Sequence, residues 1–471
     1  MRTFAACLGL VALVALPGCR RATPMPPDVL LIVADTLRAD RLGAWGNRDR
    51  LTPFLDSLAA RGTAFRRAYA QTSWTNPSVA SLITSRYQSQ HGVVAFKSVL
   101  PASETTLAEA LHAAGYTTGG FSANGLIGPQ FGFGQGYDRY RAHFVLKRDA
   151  PQYMWMSERG PTMNAEALQW IDFLWSQGHH PSKPVFLYLQ YMETHSPYAP
   201  LPAFLARVRG DESPLDLHAV NEAVYFGHLL GVSDVMLHDI VDVYDAEVLA
   251  LDAAIQQLFA ALGQRGFLDN AVVIITADHG EEFKEHGLMG HEKTLYEEVI
   301  HVPLLVLMPG QTRPVVVDDV VSLVDVAPTL LDVLGIAAPA GFEGVSRARV
   351  LGRPGLRPWL RRLFASAPAP SSAYTELIKP EGAKRFTPHE RALVLRDRKL
   401  IEGVAGEREF YRLDVDPGEK DPQGVPAGER EALATSLAEM RARATRAPSA
   451  GETKPLDEET KQRMRALGYT N

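Results

Sequence analysis

Short apolar runs and longer runs of helical period alternate along this chain. Residues 29–33 form a continuous, β-branched apolar run and read as a buried strand. Runs of the same kind follow at 185–191, 271–275, 302–308 and 315–321, and residues 115–121 lead into another. Between them, residues 52–61, 105–114, 165–176 and the long amphipathic 241–263 carry apolar positions at helical spacing. Strand and helix in alternation predict an α/β fold, with a parallel or mixed sheet covered by helices on both faces. Residues 124–160 are rich in Gly and aromatics and read as a long functional loop. Composition shifts toward Gly, Pro and Arg over 340–358. Beyond that point 371–402 reads as strands and 430–443 as a helix with a solvated face, a small α+β subdomain. No internal repeat is visible.

Two of the apolar runs end in acids. The run at 271–275 passes through Thr276 and Ala277 into Asp278-His279-Gly280, and the run at 29–33 passes through Ala34 into Asp35. Open α/β sheets place their ligand sites beyond the carboxyl ends of the strands. An aspartate beside an imidazole can share one metal ion; the plainer alternative is that Asp278 caps a helix and His279 lies on the surface. A third segment, Ser73-Trp74-Thr75-Asn76-Pro77-Ser78, puts a hydroxyl before a proline and an apolar run. Thr75 then stands near a helix N-terminus, where the dipole favours an anion. Together these residues outline a metal-activated nucleophile site.

In content and order the three segments resemble the sulfatase family of the alkaline phosphatase superfamily. Further matches are Ser89-Gln90-His91-Gly92-Val93, Glu193-Thr194-His195-Ser196-Pro197-Tyr198, Tyr244-Asp245-Ala246-Glu247, Leu295-Tyr296-Glu297-Glu298 before Val302-Pro303, and Val324-Asp325-Val326-Ala327-Pro328. Phe410-Tyr411-Arg412-Leu413-Asp414 with Asp416-Pro417-Gly418-Glu419 is similar to the family's C-terminal signature. The resemblance spans roughly residues 28–425. It implies a sulfatase-like sandwich with a central mixed, mostly parallel sheet, plus the small C-terminal α+β subdomain. It implies Asp35, Asp278 and His279 as metal ligands, and Thr75 as nucleophile bridging metal and substrate. His195 and His291 then bind the transferred sulfuryl or phosphoryl oxygens, and either one protonates the leaving oxygen. His91 is read first as bracing the loop after the nucleophile helix.

The departures from the family pattern matter as much. Sulfatases oxidise a Cys or Ser to formylglycine within Cys/Ser-x-Pro-x-Arg. This chain has Thr75 at the first position and Val79 at the last. Threonine carries a methyl on Cβ and gives no aldehyde by that route, so a phosphothreonine intermediate is the coherent chemistry and phosphoesters are favoured over sulfate esters. Ser73 and Ser78 are nearby hydroxyls, but neither stands two residues before the proline. The second acid of many sulfatases is Thr36 in this chain. With fewer carboxylates and a histidine, the donor set favours a single zinc or manganese ion, with calcium tolerated.

Net charge of -6 and the absence of a basic, aromatic-interleaved cluster give no reason to expect nucleic acid. The N-terminus resembles a lipoprotein signal: Arg2, an apolar run over 4–16, then Leu16-Pro17-Gly18-Cys19, with Pro17 an unusual residue at its place. Cys7 falls inside that signal, so the mature chain keeps only Cys19, as a lipidated first residue. An ordinary secretory signal cut nearby is the alternative. No other run reads as long and apolar enough to span a membrane. The expected organisation is a signal over 1–19, a tether over 20–27, a catalytic domain over 28–345, a subdomain over 346–447 and a tail over 448–471, whose apolar 464–469 docks on the body. The protein is expected at the bacterial cell envelope, lipid-anchored toward the periplasm or exterior, acting on a small-molecule, lipid or glycan ester, with no obligate protein partner. The alternatives are a phospho-head-group transferase, such as a phosphoethanolamine transferase, and a non-catalytic binding lipoprotein.

Overall fold

The structure, a computed structural model, describes residues 25–142, 159–180, 182–210, 215–351, 372–379, 388–445 and 452–453. Cys19 with its signal, part of the Gly- and aromatic-rich loop and the apolar 464–469 lie outside them.

Eight strands form the central sheet: β1 (Asp28–Ala34), β2 (Thr63–Tyr69), β3 (Thr117–Ser122), β4 (Arg139–Ala142), β5 (Val185–Tyr191), β6 (Ala271–Ala277), β7 (His301–Leu307) and β8 (Val315–Ser322). Their order across the sheet is β8-β2-β7-β6-β1-β5-β3-β4. Only β7 runs against its neighbours β2 and β6; the other pairs are parallel. The sheet is therefore mixed and mostly parallel, as expected. Strands β1, β5 and β6 are buried along their whole length. That is why they read as continuous apolar runs rather than alternating ones. Each fully buried Val, Leu or Ile contributes roughly 1.5–3 kcal/mol by leaving water, so these strands anchor the core beneath the site.

Strand β2 was not expected. Its sequence, Thr63-Ala64-Phe65-Arg66-Arg67-Ala68-Tyr69, breaks the apolar run with two arginines at its less buried positions. Two helices, Pro202–Arg209 and Leu217–Leu230, follow β5. Pro202 presets the backbone of the first turn, and Gly210, at φ +74°, ends that helix.

The helix α1 (Thr75–Thr84) is buried on every residue, and α2 (Asp234–Gln264) packs its apolar side on the core. By length and composition α2 also passes as a membrane span, against the expectation that no such run exists. Its packing identifies it as a core helix. Sixteen of its residues are buried, Tyr244 and Leu251 among them.

A four-stranded antiparallel sheet, Ser372–Glu376, His389–Leu395, Arg398–Gly403 and Arg408–Arg412, forms the C-terminal subdomain with the helix Ala427–Ala444. It meets the central body through two apolar clusters, one of which joins Tyr374, Leu393 and Leu400 to Tyr87 and Val324. In the other, Ala373, Ala392, Ile401 and Tyr411 pack with Tyr69, Trp74, Leu295 and Val299. Trp74 directly precedes Thr75, so the subdomain braces the start of α1.

Candidate functional site

Register creates the site. Ala34, Ala277 and Tyr191 stand opposite one another on β1, β6 and β5. The residues following Ala34 and Ala277 are Asp35 and Asp278, so both carboxylates leave the sheet side by side. Both are fully buried, as is His279. One ligand atom from each of the three lies within 4.8 Å of the others. His279 Nε2 is 3.6 Å from Asp35 Oδ1 and 3.9 Å from Asp278 Oδ2.

The surroundings prepare these groups for a cation. His279 Nδ1 lies 2.9 Å from the Gly280 carbonyl, which makes Nδ1 the donor and leaves the Nε2 lone pair toward the acids. Burial, with His291 nearby, pushes the His279 pKa down to about 4, so the ring is neutral, as a metal ligand must be. Burial and the adjacent Asp35 raise the Asp278 pKa well above the usual carboxylate range, although the His279 and Thr36 backbone N–H groups donate to it. Two buried acids lie beside a neutral imidazole, and neither pairs with a Lys or Arg among the described residues. A divalent cation fits that donor set.

Thr75 enters from α1. It is the first helical residue, with Trp74 extended before it and Pro77 in the first turn, where no backbone donor is lost. Ser78 Oγ donates to the Asp278 carbonyl at 2.6 Å and ties α1 to the end of β6. Thr75 Oγ1 is 3.3 and 3.4 Å from the two Asp35 oxygens and 3.4 Å from His279 Nε2. A hydroxyl thus faces Asp35 and His279 at the positive end of a buried helix.

His195 and His291 form the remaining wall. Their ring centroids are 5.1 Å apart, and the His291 ring is 4.7 Å from His279. His195 Nδ1 contacts the Ser196 carbonyl, and its buried Nε2 has no hydrogen-bond partner among the described residues. His291 Nδ1 is 3.0 Å from Glu281 Oε1. Burial alone would lower the His291 pKa, but the Glu281 carboxylate outweighs it and raises it. An imidazole biased toward its protonated form therefore stands beside His279.

All six residues expected at the centre, Asp35, Thr75, His195, Asp278, His279 and His291, converge there. His91 does not join them. It is fully buried, accepts from Val93 N–H at 3.1 Å and lies 3.0 Å from Ser81 Oγ, so it braces the loop after α1. Three residues were missed. Asn124 Nδ2 donates to Asp35 Oδ2 at 2.8 Å. Gln190 Nε2 donates to Asp35 Oδ2 and Asp278 Oδ2, each at 3.3 Å. Glu281 orients His291. For Gln190 a signal existed: it is an uncharged amide near the end of an otherwise apolar and aromatic buried strand.

Comparison with known proteins places the chain within a family. The Sulfatase family model matches residues 27–336, and the model for the C-terminal part of N-sulphoglucosamine sulphohydrolase matches 284–421. Human arylsulfatase A is 30% identical across 68% of this chain and 66% of its own length. Bovine arylsulfatase K is 27% identical across 70% of this chain and 66% of its own. The chain thus spans just under two thirds of these two relatives. The arylsulfatase of Clostridium perfringens (strain 13 / Type A) is 25% identical across 84% of this chain and 89% of its own. Among solved structures, the phosphonate monoester hydrolase of Agrobacterium radiobacter superposes with a TM-score of 0.68 at 20% identity, covering 92% of this chain and 98% of its own. A protein solved with its substrate D-glucosamine-2-N,6-O-disulfate gives 0.68 at 20% identity, covering 89% of this chain and 98% of its own.

Proposed function

Because the chain belongs to the sulfatase family, a family of sulfuric ester hydrolases, we propose that it is a metal-dependent hydrolase of sulfate or phosphate esters that favours phosphoesters. The observation that carries this reading is Thr75 Oγ1 at the N-terminus of α1, facing Asp35 and His279 where a formylglycine would otherwise stand. The resemblance in fold to phosphonate monoester hydrolases supports a phosphorus centre. The resemblance to a protein solved with a sulfated sugar supports a glycan ester among the candidates.

One divalent ion, zinc or manganese before calcium, held by Asp35, Asp278 and His279, would neutralise charge on the transferred group and favour the ionised hydroxyl. The chain's own residues do the rest. Thr75 Oγ1 attacks phosphorus in line and forms the Oγ–P bond as the bond to the leaving oxygen breaks. His291, oriented by Glu281, gives its proton to that oxygen. His195 Nε2 binds an equatorial oxygen. Water then attacks the phosphothreonine from the vacated side, with His291 taking its proton and Thr75 leaving.

The test is a panel of aryl sulfates, phosphate mono- and diesters and phosphonates, with mass analysis of acid-quenched enzyme. Phosphoester turnover and a phosphate adduct on Thr75 are expected; robust arylsulfatase activity without phosphoesterase activity overturns the reading. The proposal extends to location. Cys19 is the lipidated first residue at the envelope, on the strength of Leu16-Pro17-Gly18-Cys19. Cys19→Ala should release the protein from membranes, and an intact mass showing unmodified Cys19 refutes it.

A further inference from the structure

Gln190 and Asn124 are both fully buried, and neither reaches the transferred group in the scheme above. Their amides converge on one oxygen. Asp35 Oδ2 accepts from Asn124 Nδ2 at 2.8 Å and from Gln190 Nε2 at 3.3 Å, while Gln190 Nε2 also reaches Asp278 Oδ2 at 3.3 Å. The far end of each amide fixes which atom faces the acids. Gln190 Oε1 accepts from the Tyr188 hydroxyl, and Asn124 Oδ1 accepts from the Leu126 N–H at 2.9 Å. Flipping either amide would set oxygen against a carboxylate, and flipping Asn124 would also set NH₂ against an N–H.

An amide NH₂ offers donors only, and its hydrogens repel a cation. Placed between two buried carboxylates it offsets part of their mutual repulsion and closes that side of the gap. Asp35 Oδ2 is then occupied, and Oδ1, 3.6 Å from His279 Nε2, remains for a metal. We infer that Gln190, assisted by Asn124, is a positioning residue for the metal, presenting one oxygen of Asp35 to a single divalent cation and excluding a second from the Asp35–Asp278 gap. This rests on the one-metal reading above and adds the residues that hold the site to one ion.

The experiment is calorimetric titration of chelator-treated full-length protein with Mn²⁺, with bound metal counted by elemental analysis. Wild type takes up one equivalent. Gln190→Met keeps the length and loses both donors; its affinity falls roughly 10- to 100-fold, the range seen when groups orienting metal ligands are removed. Its near-ultraviolet circular dichroism in chelator matches wild type. Should it fail to fold, Gln190→Glu decides. That isosteric change replaces the donor by a third carboxylate, so a second equivalent binds. Gln190→Met binding Mn²⁺ within about threefold of wild type overturns the inference, as does Gln190→Glu still taking one equivalent at wild-type affinity. Wild type that takes up no cation overturns the metal-dependent reading as well, so the two failures are told apart before any variant is made.

Discussion

Strand β1 carries an aspartate at each end, and the two ends have different fates. At the amino end Asp28 accepts the Val185 N–H at 2.7 Å, with His180 Nε2 3.8 Å from its other oxygen. It starts β5 in register and is a finished structural contact. At the carboxyl end Asp35 meets a second buried acid, a neutral imidazole, a hydroxyl and two amides, and among the described residues no Lys or Arg pairs with it. The residue type is the same and burial is similar. What separates scaffold from site is whether neighbouring groups complete the carboxylate. Polar side chains converge at the carboxyl end because the parallel strands β1, β5 and β6 all end there.

The largest effect that tests this contrast is at the carboxyl end. Asp278→Asn removes one of two charges that hold the cation, so bound metal and turnover should both fall to background. Elemental analysis with a phosphoesterase assay checks it, and full metal occupancy with unchanged turnover removes Asp278 from the site. Thr75→Ala comes next. Turnover should drop on the order of 10³-fold or more, while metal remains bound by Asp35, Asp278 and His279. Near-native rates would mean that water attacks directly and that Thr75 only lines the pocket. His291→Ala should cost on the order of 10²- to 10⁴-fold, the usual contribution of a positioned acid. The loss should be smaller for substrates whose leaving group needs no proton, such as a nitrophenolate. Equal losses for good and poor leaving groups would make His291 a binding residue.

Much of the carboxyl end was legible because its signals are local. An apolar run that breaks into Asp35, or into Asp278-His279, states in adjacent residues both where the strand is and where it stops. Thr75 before Pro77 likewise marks a helix start. What escaped notice depends on register and on pairing at a distance. Gln190 is one polar residue inside a run, and it matters only because β5 lies beside β1 and faces Asp35. Glu281 and His291 are ten residues apart and meet because the short strands Glu282–Phe283 and Met289–Gly290 fold back on each other. Strand β2 hid behind Arg66 and Arg67, whose charges break the apolar run without breaking the strand. Local periodicity does not encode which strands become neighbours.

The smallest expected effect tests the amino end. Burial pushes the Asp28 pKa up from 3.8 to about 7, even with the Val185 N–H working against it. Between about pH 4 and pH 7 the folded chain therefore keeps a proton on Asp28 that the unfolded chain has released. The folded state then binds more protons, so this group makes stability fall as pH rises through that window, and its effect levels off above about 7. An asparagine in its place would stay neutral throughout and could still accept the Val185 N–H through its amide oxygen. Asp28→Asn should thus gain stability relative to wild type as pH rises from 4 to 7, with phosphoesterase activity within about twofold, because the residue lies seven positions from Asp35 at the far end of the strand. Urea unfolding of both proteins across that range, in chelator so that metal binding does not contribute, measures the difference. Midpoints that move in parallel from pH 4 to pH 8 would show that Asp28 is ionised in the fold. The contrast between a completed carboxylate and an open one would then have to rest on the carboxyl end alone.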